Sequence, residues 1–112
     1  MNWFCANPKA IKLNKRFIDA DLNRVFPGNS RSNKYEVKRA FELTQEFGSY
    51  ENVVDIHGTI SNSGIFTIVT NPTPGNLMLA GCLPIKNVVI WSSEKSKNRG
   101  PLASFVKRGV EI

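Results

Sequence analysis

The chain has 112 residues, 41% of them hydrophobic, which is enough for one domain with a modest core. No apolar run approaches the ~18 residues of a membrane span, and residues 1–10 lack the apolar stretch of a secretion signal, so we expect a cytoplasmic protein without a membrane partner. The net charge of +6 suggests nucleic-acid binding, but the basic residues are scattered and lack the spacing of an RNA-recognition motif or a zinc finger. A solvated basic surface is favoured, and a second use of the charge is to attract a small acidic substrate.

The start of the chain combines a short apolar segment with a long polar loop. Residues 3–6 are apolar and precede an Asn-Pro pair, which predicts a buried strand running into a turn. A loop is expected over residues 9–31. Cys5 and Cys82 are too far apart to suggest a disulfide framework, and neither has the close partner of a cysteine zinc site. We therefore expect reduced, buried thiols.

A helix is the clearest regular element of the sequence. Apolar residues recur at helical spacing over residues 34–47, with Ser32 or Asn33 as the candidate cap and Gly48 as the stop. Because the apolar positions form one stripe, this helix is expected to pack one face on a sheet.

The rest of the chain predicts strands separated by short loops and weak helical segments. Residues 52–57 indicate a central strand, and the Asn, Pro and Gly residues of 71–75 are expected to break any regular element. Further strands are expected over residues 64–70, 87–91 and 109–112, and helical segments over residues 77–83 and 102–107. This order indicates an α/β layered fold with a mixed sheet, and without linkers or repeats residues 1–112 form a single domain.

A dense group of polar residues lies between Arg16 and Gly28. Two arginines, two aspartates and an asparagine fall in a span closed by Pro-Gly, which is typical of recognition by a loop. The fork of Arg24 can bind a carboxylate through two charge-assisted hydrogen bonds, and the amide of Asn23 suits a second polar end of a ligand. The residues alone equally allow a surface ion pair between Asp21 and Arg24, with Asn23 as a turn residue.

The only histidine of the chain, His57, ends an apolar strand. Open α/β sheets place their binding crevices at this end of a strand. Asp55 lies two residues earlier, so strand alternation predicts that both side chains share one face and that the carboxylate can orient the imidazole, as in many zinc sites. On these residues alone, a hydrogen-bonded structural histidine is the more common role.

Two motifs in this order resemble the aspartoacylase and succinylglutamate desuccinylase family of zinc-dependent deacylases, relatives of the zinc carboxypeptidases. They are Asp-Leu-Asn-Arg ending at Arg24, and Asp-Ile-His-Gly-Thr around His57, which Ser-Asn-Ser-Gly follows. The resemblance implies an α/β fold: a partial zinc-carboxypeptidase-like domain with a mixed central sheet flanked by helices. It also implies hydrolysis of the amide of a carboxylate-bearing N-acyl amino acid.

The same resemblance assigns roles to individual residues. It implies that His57 is a zinc ligand, and that Asn23 and Arg24 grip the carboxylate of the substrate. Arg16 would help to polarise the scissile carbonyl.

The last residues supply a candidate general base. Residues 109–112 resemble the family's strand that ends in the catalytic glutamate, which implies that Glu111 activates the attacking water and then donates a proton to the leaving amine. A glutamate in an apolar strand is costly to bury unless it is paired or functional, whereas one near a chain end is ordinarily exposed. The family keeps an arginine and a tyrosine shortly before this glutamate, where this chain has Pro101 and Lys97; Arg99 is a candidate substitute.

The front of the family pattern has no counterpart in this sequence. Family members open with a His-x-x-Glu segment that supplies two zinc ligands, and this sequence has no second histidine. Because a catalytic zinc normally needs three protein ligands, residues 1–112 are expected to be the middle portion of an incomplete catalytic domain, inactive alone and binding zinc weakly or not at all. Uncovered sheet and helix surfaces then favour self-association.

Two functions of other classes stay open. One is a non-enzymatic module that binds carboxylates through Arg16, Asn23 and Arg24 without a metal. The other is a small basic nucleic-acid-binding protein, for which a steep loss of oligonucleotide affinity with added salt is the discriminating observation.

Overall fold

A computed structural model of the chain describes residues 1–58, 62–91 and 98–112. The predictions that involve Thr59, Ser61 and Lys97 lie outside these residues. The helices are α1 (Pro8–Lys12), α2 (Tyr35–Phe47) and α3 (Pro74–Cys82), and 3-10 turns occupy Leu22–Arg24 and Leu102–Ser104. The strands are β1 (Val53–Asp55), β2 (Thr67–Val69), β3 (Val88–Ile90) and β4 (Gly109–Glu111).

The four strands form one mixed sheet in the order β1-β4-β2-β3. Strand β4 pairs in parallel with β1 and antiparallel with β2, and β2 pairs in parallel with β3. This mixed sheet with its helices confirms the predicted α/β class. The prediction of a central strand over residues 52–57 is wrong, because β4 takes the inner place and β1 lies at an edge of the described sheet. All residues of β4 are buried, which suits an inner strand.

Helix α2 packs on the sheet through a shared apolar core, as its stripe of apolar residues predicts. Ala40 and Leu43 of the helix are buried against Phe26, Val53 and Leu102. A smaller cluster of Val69, Ala80 and Val110 joins α3 to β2 and β4. Burial of these side chains supplies the main stabilisation of the domain.

The start of α2 is capped differently from the prediction, although Gly48 ends the helix as expected. Lys34 occupies the N-cap position and its side chain makes no capping bond. Neither Ser32 nor Asn33 caps the helix; the backbone N–H of Tyr35 donates to Oδ2 of Asp19, at 2.7 Å, from a distant part of the chain. A long-range carboxylate therefore replaces the local cap.

The predicted buried strand over residues 3–6 is wrong. Trp3 is 77% exposed, and no strand is found in this part of the described chain. The guanidinium of Arg39 donates to the carbonyl oxygens of Cys5 and Ala6, so a side chain occupies backbone groups that a neighbouring strand would use. The expected buried thiols are also corrected, because Cys5 and Cys82 are both free but exposed.

Helix α3 begins inside the segment that was expected to be irregular. Pro74 stands in the first turn, where a missing N–H costs nothing, and Thr73 caps the helix by accepting from the N–H of Asn76. The buried amide of Asn76 then accepts from the N–H of Gly109 at 3.0 Å and donates to the carbonyl of Asn71 at 2.7 Å. This amide fixes the start of β4 against α3. Over the described ranges no helix is long and apolar enough to cross a bilayer.

Candidate active site

The chemistry-bearing residues meet where β1 and β4 end. Asp55 is the register partner of Glu111 in the parallel pair. The backbone ladder continues past both strands, because the N–H of Ile112 donates to Asp55 at 2.9 Å and the N–H of His57 donates to Ile112 at 2.7 Å. This continuation places His57 beside Glu111, although the two residues are far apart in sequence.

His57 faces two carboxylates with one ring nitrogen. Its Nε2 lies 3.0 Å from Oδ2 of Asp55 and 3.6 Å from Oε2 of Glu111. The hydrogen bond to Asp55 raises the pKa of His57 against the opposing effect of burial, and the charges of Asp55, Glu111 and Asp21 raise it further. The predicted contact between Asp55 and His57 is therefore present, and it occupies Nε2 of the imidazole ring.

Glu111 is 6% exposed and only partly paired. Its Oε2 accepts a hydrogen bond from Nδ2 of Asn23 at 3.3 Å, while its Oε1 is buried and has no partner among the described residues. Burial raises the pKa of Glu111 above its ordinary range, and Asp55 adds to this, whereas His57, Asn23 and Arg24 lower it. A buried carboxyl group whose pKa is raised in this way is a candidate for proton transfer.

A 3-10 turn brings Asn23 to the same place. Asp21 caps this turn by accepting from the N–H of Asn23 at 3.1 Å. Besides the bond to Glu111, the amide of Asn23 has a buried Oδ1 without a partner in the part of the chain that the structure describes. Two unpaired buried acceptors, one on Asn23 and one on Glu111, favour a ligand that donates hydrogen bonds here.

The two arginines of the first motif differ in their relation to the site. Arg24 is exposed, and its charge lowers the pKa values of Glu111 and Asp21, which places it within electrostatic reach of both. Arg16 has a side chain that is 75% exposed and pairs with Asp21 at 2.9 Å. The structure thus gathers His57, Glu111 and Asn23, with Arg24 close by, and connects Arg16 to them only through Asp21.

The donor set of this region fits a metal ion only in part. His57 fits one ligand position, because Asp55 holds its other ring nitrogen in the way that metal-binding histidines are commonly held. Across residues 1–58, 62–91 and 98–112, however, no group of three or more His, Cys, Asp and Glu side chains is arranged to hold a metal. These residues thus offer one candidate ligand, His57, and not a full set.

Sequence reasoning missed one buried charge that supports this region. Glu36 is fully buried on α2, and its carboxylate accepts backbone hydrogen bonds from the segment that leads to Asn23. A signal was available, since Glu36 lies on the same helical stripe as Ala40 and Leu43, at spacings of four and seven residues. An acidic residue in line with core positions is costly unless it is paired.

Comparison with known proteins gives consistent matches along most of the chain. The family model described as the succinylglutamate desuccinylase/aspartoacylase catalytic domain matches residues 2–107. A probable aspartoacylase of Acaryochloris marina is 35% identical over 109 residues, covering 87% of this chain and 37% of that protein. An N-acyl-aromatic-L-amino acid amidohydrolase (carboxylate-forming) of Xenopus laevis is 39% identical over 93 residues, covering 74% of this chain and 30% of that protein.

A solved structure agrees with these sequence matches. The crystal structure of murine aminoacylase 3 superposes with a TM-score of 0.72 at 28% sequence identity, covering 95% of this chain and 41% of that chain. The chain therefore spans between 30% and 41% of the length of these three relatives. Glu111 lies beyond the residues that the family model matches, so its candidacy depends on the geometry described above.

Proposed function

The chain belongs to the succinylglutamate desuccinylase/aspartoacylase family, and we propose that it forms the middle portion of the catalytic domain of a zinc-dependent deacylase acting on an N-acyl amino acid. One observation supports this function above the others. The carboxylate of Glu111, buried at the end of an inner strand, accepts from Asn23 and faces His57, so residues from three distant segments converge on one group.

Glu111 is proposed as the general base and then the general acid. Its raised pKa suits it to take a proton from the attacking water and to return that proton to the leaving amine. Its Oε1, which has no hydrogen-bond partner among the described residues, is proposed as the atom that takes and returns the proton. Asn23 holds the other oxygen, Oε2, and so fixes the orientation of the carboxylate.

Arg24 and the second N–H of the Asn23 amide are proposed to bind the carboxylate of the substrate, since the first N–H is donated to Glu111. The fork of Arg24 is exposed, and its one hydrogen bond within residues 1–58, 62–91 and 98–112 is a long one of 3.4 Å to the backbone carbonyl of Asn23, so it is accessible to a ligand. An arginine bound to a carboxylate through two parallel hydrogen bonds gives both affinity and orientation. Arg16 is proposed to polarise the scissile carbonyl, which requires its guanidinium to turn from Asp21 toward the site.

His57 is proposed as one of the protein ligands of the zinc ion. When bound, zinc supplies Lewis-acid polarisation and charge stabilisation to such a reaction. Since the described residues provide one ligand of about three, we propose that the others come from polypeptide outside this sequence. The 112-residue chain alone is then expected to bind zinc weakly and to be inactive.

The function is tested by grafting residues 1–112 in place of the matching part of the Acaryochloris marina relative. We call this protein the grafted enzyme. It is expected to bind zinc and to hydrolyse at least one of N-acetyl-aspartate, N-succinyl-glutamate and N-acetyl-phenylalanine, with release of the free amino acid as the measurement. The unmodified relative is the positive control, and the 112-residue chain alone is expected to release none. A folded, zinc-loaded grafted enzyme that cleaves none of the three compounds contradicts the proposal.

Replacement of Arg24 tests the substrate-binding assignment. In the grafted enzyme, Arg24→Ala is expected to raise KM about 10- to 100-fold with a smaller change in kcat, because it removes charge-assisted hydrogen bonds to the substrate. Steady-state kinetics measure the two constants. Arg31→Ala makes the same change of charge on a nearby exposed loop and is the matched control. Equal effects of the two variants would show that Arg24 acts only through net charge.

A non-enzymatic module is the second candidate. It is favoured by one observation, that a single histidine and no complete metal-binding group occur within the described ranges. Zinc-independent binding of the three test compounds by the 112-residue chain, without turnover in the grafted enzyme, would support it. Self-association, a cytoplasmic location and the lack of a nucleic-acid partner stay predictions.

A further inference from the structure

The buried carboxylate of Glu36 has no part in the proposed function. Both of its oxygens accept hydrogen bonds from groups outside its own helix. Oε1 accepts from the N–H of Ile18 at 2.5 Å and from Nδ2 of Asn7 at 3.1 Å. Oε2 accepts from the N–H of Asp19 at 2.9 Å and from the N–H of Ala20 at 3.1 Å. Three consecutive backbone donors therefore converge on one side chain.

The contact between this segment and α2 is reciprocal. While Glu36 accepts from the N–H of Asp19, the side chain of Asp19 accepts from the N–H of Tyr35 at the first residue of the helix. The pattern resembles a capping box, but Asp19 and Glu36 lie 17 residues apart instead of three, and the side chain of Asp19 accepts from Tyr35 and not from Glu36 itself. The position of Glu36 in the first turn of α2 also suits a negative charge.

The clamped residues lead directly into the proposed substrate-binding residues. Asp21 follows Ala20 and caps the 3-10 turn that carries Asn23 and Arg24. After the turn, Gly28 presses on the backbone of α2, where a Cβ would lie 2.2 Å from the N of Phe41. Because both ends of this segment are fixed on α2, a change at Glu36 is transmitted to Asn23 across only two or three residues.

We propose that Glu36 is a positioning residue, whose buried carboxylate clamps the backbone of residues 18–20 and thereby sets Asn23 and Arg24 for the carboxylate of the substrate. The effect on substrate binding rests on the proposed function, whereas the clamp itself does not. Burial raises the pKa of Glu36, but the donors from Ile18, Asp19, Asn7 and Ala20 lower it overall, so the clamp is ionised at neutral pH.

The sharpest variant is Glu36→Gln, which keeps the size of the side chain. Whichever way the new amide turns, its NH₂ group replaces an oxygen that faces two donors, either Ile18 and Asn7 or Asp19 and Ala20. Two donors then lose their acceptor, and the segment must shift to satisfy them. Glu42→Gln is the matched control, because it makes the same change of charge on the exposed side of α2.

Hydrogen exchange of the 112-residue chain tests the clamp without any activity. In Glu36→Gln, the amides of Ile18, Asp19 and Ala20 are expected to exchange at least about 10-fold faster, since charge-assisted hydrogen bonds are lost. Two other amides serve as references: the N–H of Val53 donates to the carbonyl of Arg108, and the N–H of Gly109 donates to the side chain of Asn76. Their exchange rates are expected to change far less. A uniform acceleration of all five amides, or none, would overturn the proposal. Asp19→Ala is the second variant if Glu36→Gln fails to fold, because it removes the cap on Tyr35 but leaves Glu36 and its backbone donors in place. The amides of residues 18–20 are then expected to stay protected, and loss of their protection would assign the clamp to the Asp19 side chain and overturn the proposal.

Kinetics of the grafted enzyme test the effect on the site. Glu36→Gln is expected to raise KM about 10-fold or more with little change in kcat, whereas Glu42→Gln leaves both unchanged. A lower melting temperature with unchanged KM would assign Glu36 a purely structural role and overturn the positioning effect. If the grafted enzyme with native Glu36 is inactive, the proposed function fails, and hydrogen exchange still decides the clamp.

Discussion

Glu111→Gln is expected to lower kcat of the grafted enzyme by about 10²- to 10⁴-fold while its zinc content stays the same. The amide keeps the shape of the side chain, and it can still accept the hydrogen bond from Asn23. It can neither take a proton from water nor return one to the leaving amine, so the loss falls on the chemical step. Turnover and metal analysis on the same preparation measure the two effects.

A control separates this effect from a general change of charge. Glu46→Gln replaces an exposed glutamate on α2 and is expected to leave kcat within about 2-fold, as surface substitutions generally do. If Glu111→Gln retains near-normal turnover, Glu111 is not the general base. Its burial in β4 would then be a structural feature supported by Asn23 and His57.

His57→Ala is expected to remove zinc from the grafted enzyme and to abolish turnover. Only two protein ligands would be left, and zinc affinity is expected to fall by more than about 100-fold. Asp55→Ala should produce a smaller loss, about 10- to 100-fold, because Asp55 only orients the imidazole. Competition with a chelator of known affinity measures both variants.

The ranking of the two variants is the decisive result. A loss that is larger for Asp55→Ala than for His57→Ala would make the carboxylate the ligand and the histidine its partner. Unchanged zinc affinity in His57→Ala would remove His57 from the site altogether, and the contact between these side chains would then be structural.

The spacing of residues along the chain correctly predicted local features of the structure. The stripe of apolar residues identified α2, and the two-residue spacing of Asp55 and His57 placed their side chains on one face, where they are hydrogen bonded. Both inferences need only neighbouring residues. Residues 3–6 show the limit of such reasoning, because apolar composition cannot tell whether a strand partner exists, and Arg39 binds that backbone instead.

Long-range contacts account for what the sequence could not predict. The cap of α2 comes from Asp19, and Glu36 returns the interaction, across a separation that no local pattern covers. The inner position of β4 results from its pairing with β1 and β2, which its own three residues do not reveal. The sequence motifs singled out Asn23, His57 and Glu111 one by one. That Asn23 and His57 both contact the carboxylate of Glu111 is seen only in the folded structure.

The inner place of β4 determines when the sheet can assemble during synthesis of the chain. Strands β1 and β2 do not pair with each other, and each is joined to the sheet through β4, which is the last of the four to leave the ribosome. The pair of β2 and β3 can form early, whereas the pairing of β1 with β4, its one partner among the described strands, must wait until residues 109–111 emerge. Such non-local pairing is slow relative to local contacts. The contacts that join Glu111 to Asn23 and His57 therefore form only after residues 109–111 have been made.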